Sequence, residues 1–460
     1  MAKIVQLRDR ETSEKQYPVT IPQAVVDEAG RNIMEIIETY FKDSYTEADV
    51  MYGVEWDVTV ADPAMTRIGN MALHRQLPIQ NRMKGCLLDD DGNVVEYLPV
   101  TSWEGATLDG SRGQVMVELP EHYRKFETDG NIRRAKISEY PLPGYHVVPK
   151  MYISAYEATL QRSTNKLCSV KNLDPDYRGG DNNAEWDGTY RSLLGRPATY
   201  IEPSMMQQYA RNRGLISEWN MLTSSCWKTV QWLYLIEYAN RNSQLAFSSE
   251  KTAEGFTQGG LGMGATTMAY ADWNSYFAKS PFIACGASDH MGNASGEVLL
   301  PIYNESGDLL AEVPCARYRG IENPFGHIVK TLCGAVAVYE DDVVNVYMSD
   351  GPEYVFDSTV SEEYRLASRS PKTSAVNYTN IAFGEYGDII MTASGGGSNI
   401  YWCDQFWGGS SFAKGTVRAI GIGSTSINNY AAGMFATDAA WSVKANDCGT
   451  RLCFIPQNNK

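Results

Sequence analysis

The sequence predicts an α+β protein in which short strands and loops outweigh helices. Three observations lead there. Forty glycines stand beside 28 tyrosines and 10 tryptophans, a composition suited to tight turns and wide, half-buried strand surfaces. Runs such as GVEWDVTV (Gly53 to Val60) alternate apolar and polar residues with the two-residue period of a strand. Helical spacing of three and four residues is confined to a few segments.

At 460 residues the chain is too long for one ordinary core. With 43% hydrophobic and 21% charged residues it has the composition of a folded globular protein. It divides on pattern into residues 1–45, 46–143 and 144–460. The first region holds a short strand, Lys3 to Leu7, a charged turn and a second strand, Tyr17 to Thr20. A helix follows, with Pro22 in its first turn and Ile33, Ile36, Ile37, Tyr40 and Phe41 on one face. So short a helix cannot bury that stripe alone, so it packs on the next unit or forms a seam between sister chains.

The middle region reads as β. Leu87 to Leu98 is a hairpin whose Asp-Gly turn supplies the positive φ, and Asp89, Asp90 and Asp91 form a solvated tip. Gly113 to Phe126 and Ile137 to Pro149 add further strands. The third region is expected to hold a pair of helices, around Ser204 to Arg213 and Cys226 to Arg241. In the second helix, Trp227, Val230, Leu233, Tyr234 and Tyr238 make a core stripe, with Glu237 and Arg241 at i and i+4 on its flank.

Charge and motifs narrow the function. A net charge of −15 with no basic run disfavours nucleic acid and anionic bilayers as partners. No run of 18 apolar residues exists and the start has no apolar signal core, so neither membrane insertion nor secretion is expected. Nine dispersed cysteines, at 86, 168, 226, 285, 315, 333, 403, 448 and 453, read as buried thiols. The glycines of Phe256 to Thr267 lack the GK(S/T) ending and the GxGxxG spacing after a strand, and suit a surface loop. Ser288, Asp289 and His290 are adjacent on one loop, where side chains diverge, and no GxSxG elbow accompanies them. His327 reads as a buried, hydrogen-bonded histidine. No catalytic residue is assigned.

Two signatures carry a resemblance. RGIENPFGHIVK (Arg319 to Lys330) is followed some distance on by YWCDQFWGGSSF (Tyr401 to Phe412), NNYAAGMF (Asn428 to Phe435) and NDCGTRLCFIP (Asn446 to Pro456). Together they resemble the C-type-lectin-like fold of the formylglycine-generating-enzyme superfamily, which includes ligand-displaying domains of phage tail fibres and variable proteins of diversity-generating retroelements. The likeness spans 144–460 in scattered motifs, and YISAYEAT (Tyr152 to Thr159) matches its opening strand, where the Glu packs and hydrogen-bonds. The β-rich region is therefore expected to lead into a lectin-like domain. KIVQLRD with YPVT is similar to the N-terminal attachment module of virion fibre proteins from phages of gut Bacteroidetes, and the strands of 113–149 resemble the linker pattern before such domains.

The resemblance implies a homotrimeric fibre of a phage virion, tail or head, that contacts other virion proteins and a host-surface glycan or protein. In such domains the displayed face lies near the C-terminal signature, here Gly408 to Asn446. Its ligand-binding candidates are Trp407, Phe412, Asn428, Asn429, Tyr430, Asp438 and Trp441, aromatic anchors among adaptable polar residues. Trp402, Phe406 and Phe435 are assigned to the core. Lectin-like folds also use structural calcium, which makes Asp174, Asp176, Asp181 and Asp187 calcium candidates against an ordinary solvated loop; no other cofactor is expected. The alternatives are a purely structural virion subunit and an enzyme of the formylglycine-generating type, using Cys448 and Cys453.

Overall fold

The computed structural model describes residues 45–215, 217–264, 281–349, 360, 362–441 and 444–457. The expected N-terminal module, with its Ile33-to-Phe41 stripe, therefore lies outside the described residues, Tyr45 excepted. What is described is mostly β, with strands in four main sheets around one long helix.

The alternating run after Val50 becomes the strand Met51–Asp57. It lies in an antiparallel five-stranded sheet ordered Thr66–Gly69, Met51–Asp57, Ile132–Ser138, His122–Asp129, His146–Val148. The second sheet has six strands: Trp219–Met221, Leu452–Phe454, Met151–Ser154, Gln114–Leu119, Lys84–Leu88, Val94–Tyr97. Its strands come from both sides of residue 143. Met151–Ser154 pairs with Gln114–Leu119 on one side and with Leu452–Phe454 on the other, so strands of 46–143 and of the chain's end share hydrogen bonds. Gly92 of the hairpin turn shows how tightly. Its φ is +80°, as the Asp-Gly turn requires, and a Cβ there would stand 2.1 Å from the ring of Phe454.

The largest sheet has nine strands. Eight follow one path: Arg365–Pro371, Val343–Met348, Val329–Tyr339, Val417–Ile422, Thr437–Trp441, Trp402–Trp407, Val376–Ile381, Met391–Ser394. The path nearly closes on itself, because the hydroxyl of Ser368 in its first strand donates to the carbonyl of Met391 in its last, at 2.8 Å. A hairpin, Gly296–Tyr303 with Leu309–Tyr318, extends through Ile321–Glu322 into a three-stranded sheet.

The helices fall at Pro203–Arg211 and Ser224–Tyr238. Thr223 caps the second, its hydroxyl accepting from Cys226 N, and Ala239 ends it in the left-handed region. The expected stripe is buried, but so is nearly every other position, because sheets surround the helix. This overturns the i, i+4 pair. Glu237 turns to Arg319, with Nε–Oε2 at 2.6 Å and Nη2–Oε1 at 2.7 Å, while Arg241 lies past the helix end and donates to the carbonyls of Asp62 and Pro63. Both contacts tie the third region of the chain to the second or to the signature at Arg319.

A continuous aromatic core follows. Trp56 and Phe126 from the five-stranded sheet meet Trp232 of the helix, Phe383, and Trp402 of the largest sheet at centroid separations of 5.0 to 6.1 Å. Beside it runs a buried polar seam built by the two signatures. Glu157 accepts from His327 Nδ1 at 2.5 Å and faces Lys330 Nζ at 2.9 Å. His327 Nε2 accepts from the backbone of Phe282 and Ile283, which places its proton on Nδ1. Arg451, from GTRL, donates to the carbonyls of Ser154 and Asn323. Glu322, from GIEN, takes the backbone N–H of Gly286 and both the N–H and hydroxyl of Ser288. The sequence expectation for Glu157 and His327 as buried hydrogen-bonding residues holds. Among the described residues, no helix is long and apolar enough to cross a membrane.

Candidate functional site

The strands Val417–Ile422 and Thr437–Trp441 are antiparallel neighbours, and residues 423–436 connect them. The connection is built to hold one shape. Met434 N donates to the Ser243 hydroxyl, and Met434 O accepts from the Gln231 amide. Phe435 N donates to Asp404 Oδ2 at 2.7 Å, and Phe435 O accepts from the Tyr378 hydroxyl at 2.5 Å. Four side chains from four separate segments thus pin two consecutive residues. Gly433 is obligatory: its φ is +149°, and a Cβ would lie 2.3 Å from the Asp404 carboxylate. Burial drives the Asp404 carboxyl far above the ordinary carboxylate range, against the pull of the Phe435 and Ala436 N–H groups.

On this base sits the 3-10 helix Ser426–Ala431, carrying three of the candidates. The Thr425 hydroxyl donates to Asn428 Oδ1 at 2.5 Å. Asn429 has φ 51° and ψ −127°, a region that a side chain makes costly, and its carbonyl accepts from Gln244 Nε2 at 3.0 Å. Tyr430 is 54% exposed, and Ile427 beside it is also exposed. Gln244 donates as well to Met263 O, at 2.7 Å, which brings the exposed Met263 to the same surface. Gln244, Met263 and Ile427 were not expected. Only Ile427 is adjacent to the signature, and nothing in the local sequence links it to positions near 244 and 263.

The other candidates do not join this loop. Phe412 lies in the connection 408–416 that precedes Val417–Ile422, whereas the Asn428–Tyr430 loop follows it. The six-residue strand Val417–Ile422, roughly 20 Å long, lies between the two connections, which leave from its opposite ends. Phe412 is half-buried, packed on Tyr339 at 5.0 Å with the Arg418 guanidinium over its ring at 4.5 Å. Trp407 and Asp438 are direct partners in parallel strands, so they form a second group on the sheet. Burial pushes the Asp438 carboxyl up to about 7, with Asp447 adding repulsion and the Ala440 N–H opposing. Trp441 stands opposite Ala419. The single face expected over Gly408 to Asn446 is therefore a loop and a separate sheet patch. Trp402, Phe406 and Phe435 are fully buried, as assigned.

The remaining expectations resolve by geometry. Asp174 caps the turn at Pro175 by accepting from Asp176 N, and Asp176 accepts from the backbone and hydroxyl of Ser163. Asp181 accepts from Asn183 N, and Asp187 binds Arg178 in two-pronged fashion. These carboxylates serve the loop's own turns, and among the described residues no three His, Cys, Asp or Glu side chains converge as a metal would need. Asp90 is not a solvated tip: it pairs with Lys166 at 3.0 Å and with Arg213 at 2.5 Å. Ser288 and Asp289 are buried while His290 is exposed, so no triad forms there. Leu261, in the glycine-rich stretch expected as a surface loop, is buried.

All nine cysteines are buried and unbridged. Cys448 lies against the Thr331 hydroxyl at 3.1 Å in a strand beside Val329, whereas Cys453 pairs in register with Asn220 and Ile153. The hydrogen bond with Cys453, and then burial, raises the thiol pKa of Cys226, and burial raises those of Cys285, Cys315 and Cys333, the opposite of activation. No family model and no curated protein matches the chain, so the reading of its function rests on the geometry above and on the resemblance.

Proposed function

We propose that the chain is a bacteriophage virion fibre subunit whose C-terminal, lectin-like region contacts the host surface through the Ser426–Ala431 loop. One observation carries this reading. Tyr430 and Ile427 project from a loop whose base is pinned by Gln231, Ser243, Tyr378 and Asp404, so exposed contact area is presented with little conformational entropy left to lose. Asn428 and Asn429 supply adaptable hydrogen bonding beside the aromatic ring. The partner is a glycan or protein of the host envelope. Residues 1–45 would join the fibre to other virion proteins and, as a homotrimer, to sister copies. Catalysis is not included in the proposal, since Cys448 and Cys453 lie in different strands with different partners.

The test is competition for adsorption. Purified chain should bind Bacteroidetes host cells and block phage adsorption, and Tyr430→Ala should abolish both while keeping its melting temperature. A folded chain that binds no host cell, with Tyr430→Ala virions that fail to assemble, would instead make it a structural virion component. Light scattering should give a trimer; a monomer at every concentration would remove that element of the proposal.

A further inference from the structure

A second concave surface is built from segments remote from the display loop. The hairpin tip at Asp89–Asp90, the turn at Asp109–Gly113 and the strands around Gln161 and Lys166 enclose an open cleft of about 550 Å³, within the usual span of small-ligand sites. It shares no residue with Ser426–Ala431.

The cleft's chemistry is specific. Gln114 is only 2% exposed; its Oε1 accepts from Ser169 N at 2.8 Å, and its amide nitrogen is left without a partner among the described residues. That nitrogen is reached by solvent at the cleft wall, where an acceptor from outside can take the place of water. The Tyr177 hydroxyl on the same wall also has no partner among the described residues, and its ring gives the cleft a flat apolar side. Asp109 spends Oδ1 on the Ser111 N–H and hydroxyl, leaving its second oxygen open. Asp90 fixes Lys166 and the buried Arg213, and the lysine keeps further protons to donate.

Three carboxylates, Asp89, Asp90 and Asp109, are matched by three cations, Arg112, Lys166 and Arg213, so the cleft presents dense donors and acceptors without net charge. A phosphate or a metal ion would find opposing charges in equal number. A neutral molecule bearing many hydroxyls and one apolar ring face satisfies the unpartnered amide, the open carboxylate oxygen and the tyrosine ring together. We propose that this cleft is a binding site for a neutral saccharide of one or two rings, independent of the display loop.

The experiment is saturation-transfer NMR on the full chain with lactose, maltose, cellobiose and chitobiose. At least one should bind saturably, and Tyr177→Ala and Asp109→Asn should each weaken it about tenfold, the cost of one lost contact. Both side chains are at least partly exposed, and an unchanged melting temperature confirms that each variant folds. Tyr430→Ala should bind the sugar as the parent does. The proposal is overturned if none of the four binds up to about 20 mM, weaker than any useful site. It is equally overturned if binding survives both cleft variants, or if Tyr430→Ala alone removes it, which would move the sugar to the display loop. Loss of cell adsorption in Tyr430→Ala with sugar binding intact separates this site from the adsorption reading.

Discussion

Glu157 is the residue on which the buried seam turns. Burial alone would raise its carboxyl, yet Lys330, His327 and Arg451 hold it down to about 2. Its folded pKa lies below the unfolded value of 4.5, so its contribution is complete above that pH and is lost as pH falls through 2. Glu157→Gln would strand the Lys330 ammonium without a counter-charge, and a stability loss on the order of 3–5 kcal/mol is expected in guanidinium unfolding at neutral pH. Adding Lys330→Met should restore most of it; a single variant as stable as the parent would discount the ion pair. Asp438 behaves oppositely. Its pKa of about 7, against 3.8 unfolded, means the folded state holds a proton that the unfolded chain has released. Stability then falls as pH rises from about 4 to 7, by up to roughly 4 kcal/mol for a three-unit shift. Asp438→Asn should flatten that slope and be the more stable protein at pH 8. Parallel slopes in parent and variant would show that Asp438 ionises freely.

Among the elements, the display loop carries backbone strain at Asn429. Asn429 at φ 51° and ψ −127° occupies a conformation that glycine reaches without cost. Asn429→Gly is expected to raise stability by about 1 kcal/mol, net of glycine's greater unfolded entropy, and Asn429→Ala to lower it by a similar amount. Equal melting temperatures for both variants would mean that the loop relaxes instead of holding this geometry. The sequence made the loop visible as an Asn-Asn-Tyr cluster between two strands. It did not reveal the strain, because that comes from Gln244 and from the pinned Phe435 below. The helix Ser224–Tyr238 repeats the lesson: its apolar spacing was plain, but Glu237 found Arg319 and not Arg241, since the helix ends before 241.

For the whole molecule, the shared six-stranded sheet predicts that residues 144–460 do not make a free-standing unit. Removing 46–143 would strip Met151–Ser154 of its neighbour Gln114–Leu119 and expose Trp232 and Trp402 where Trp56 and Phe126 now lie. A 144–460 fragment is expected to lack the near-ultraviolet circular dichroism of a packed aromatic core and to be digested rapidly by protease. A fragment with sharp aromatic signals and protease resistance would support the boundary at 143. The sequence by itself determined the strand-rich class, the Asp-Gly hairpin, both helices, the buried thiols, and the core places of Trp402, Phe406 and Phe435. Each follows from local spacing, turn chemistry or side-chain type, which act over a few residues. Tertiary structure alone decided that the middle and last regions share one sheet and that Phe412 and Tyr430 stand at opposite ends of a strand. It also decided that Asp90 anchors Lys166 and Arg213 beside a polar cleft. Those outcomes depend on which distant strands pair and in what register, and pairing between residues hundreds of positions apart leaves no periodic trace in the chain.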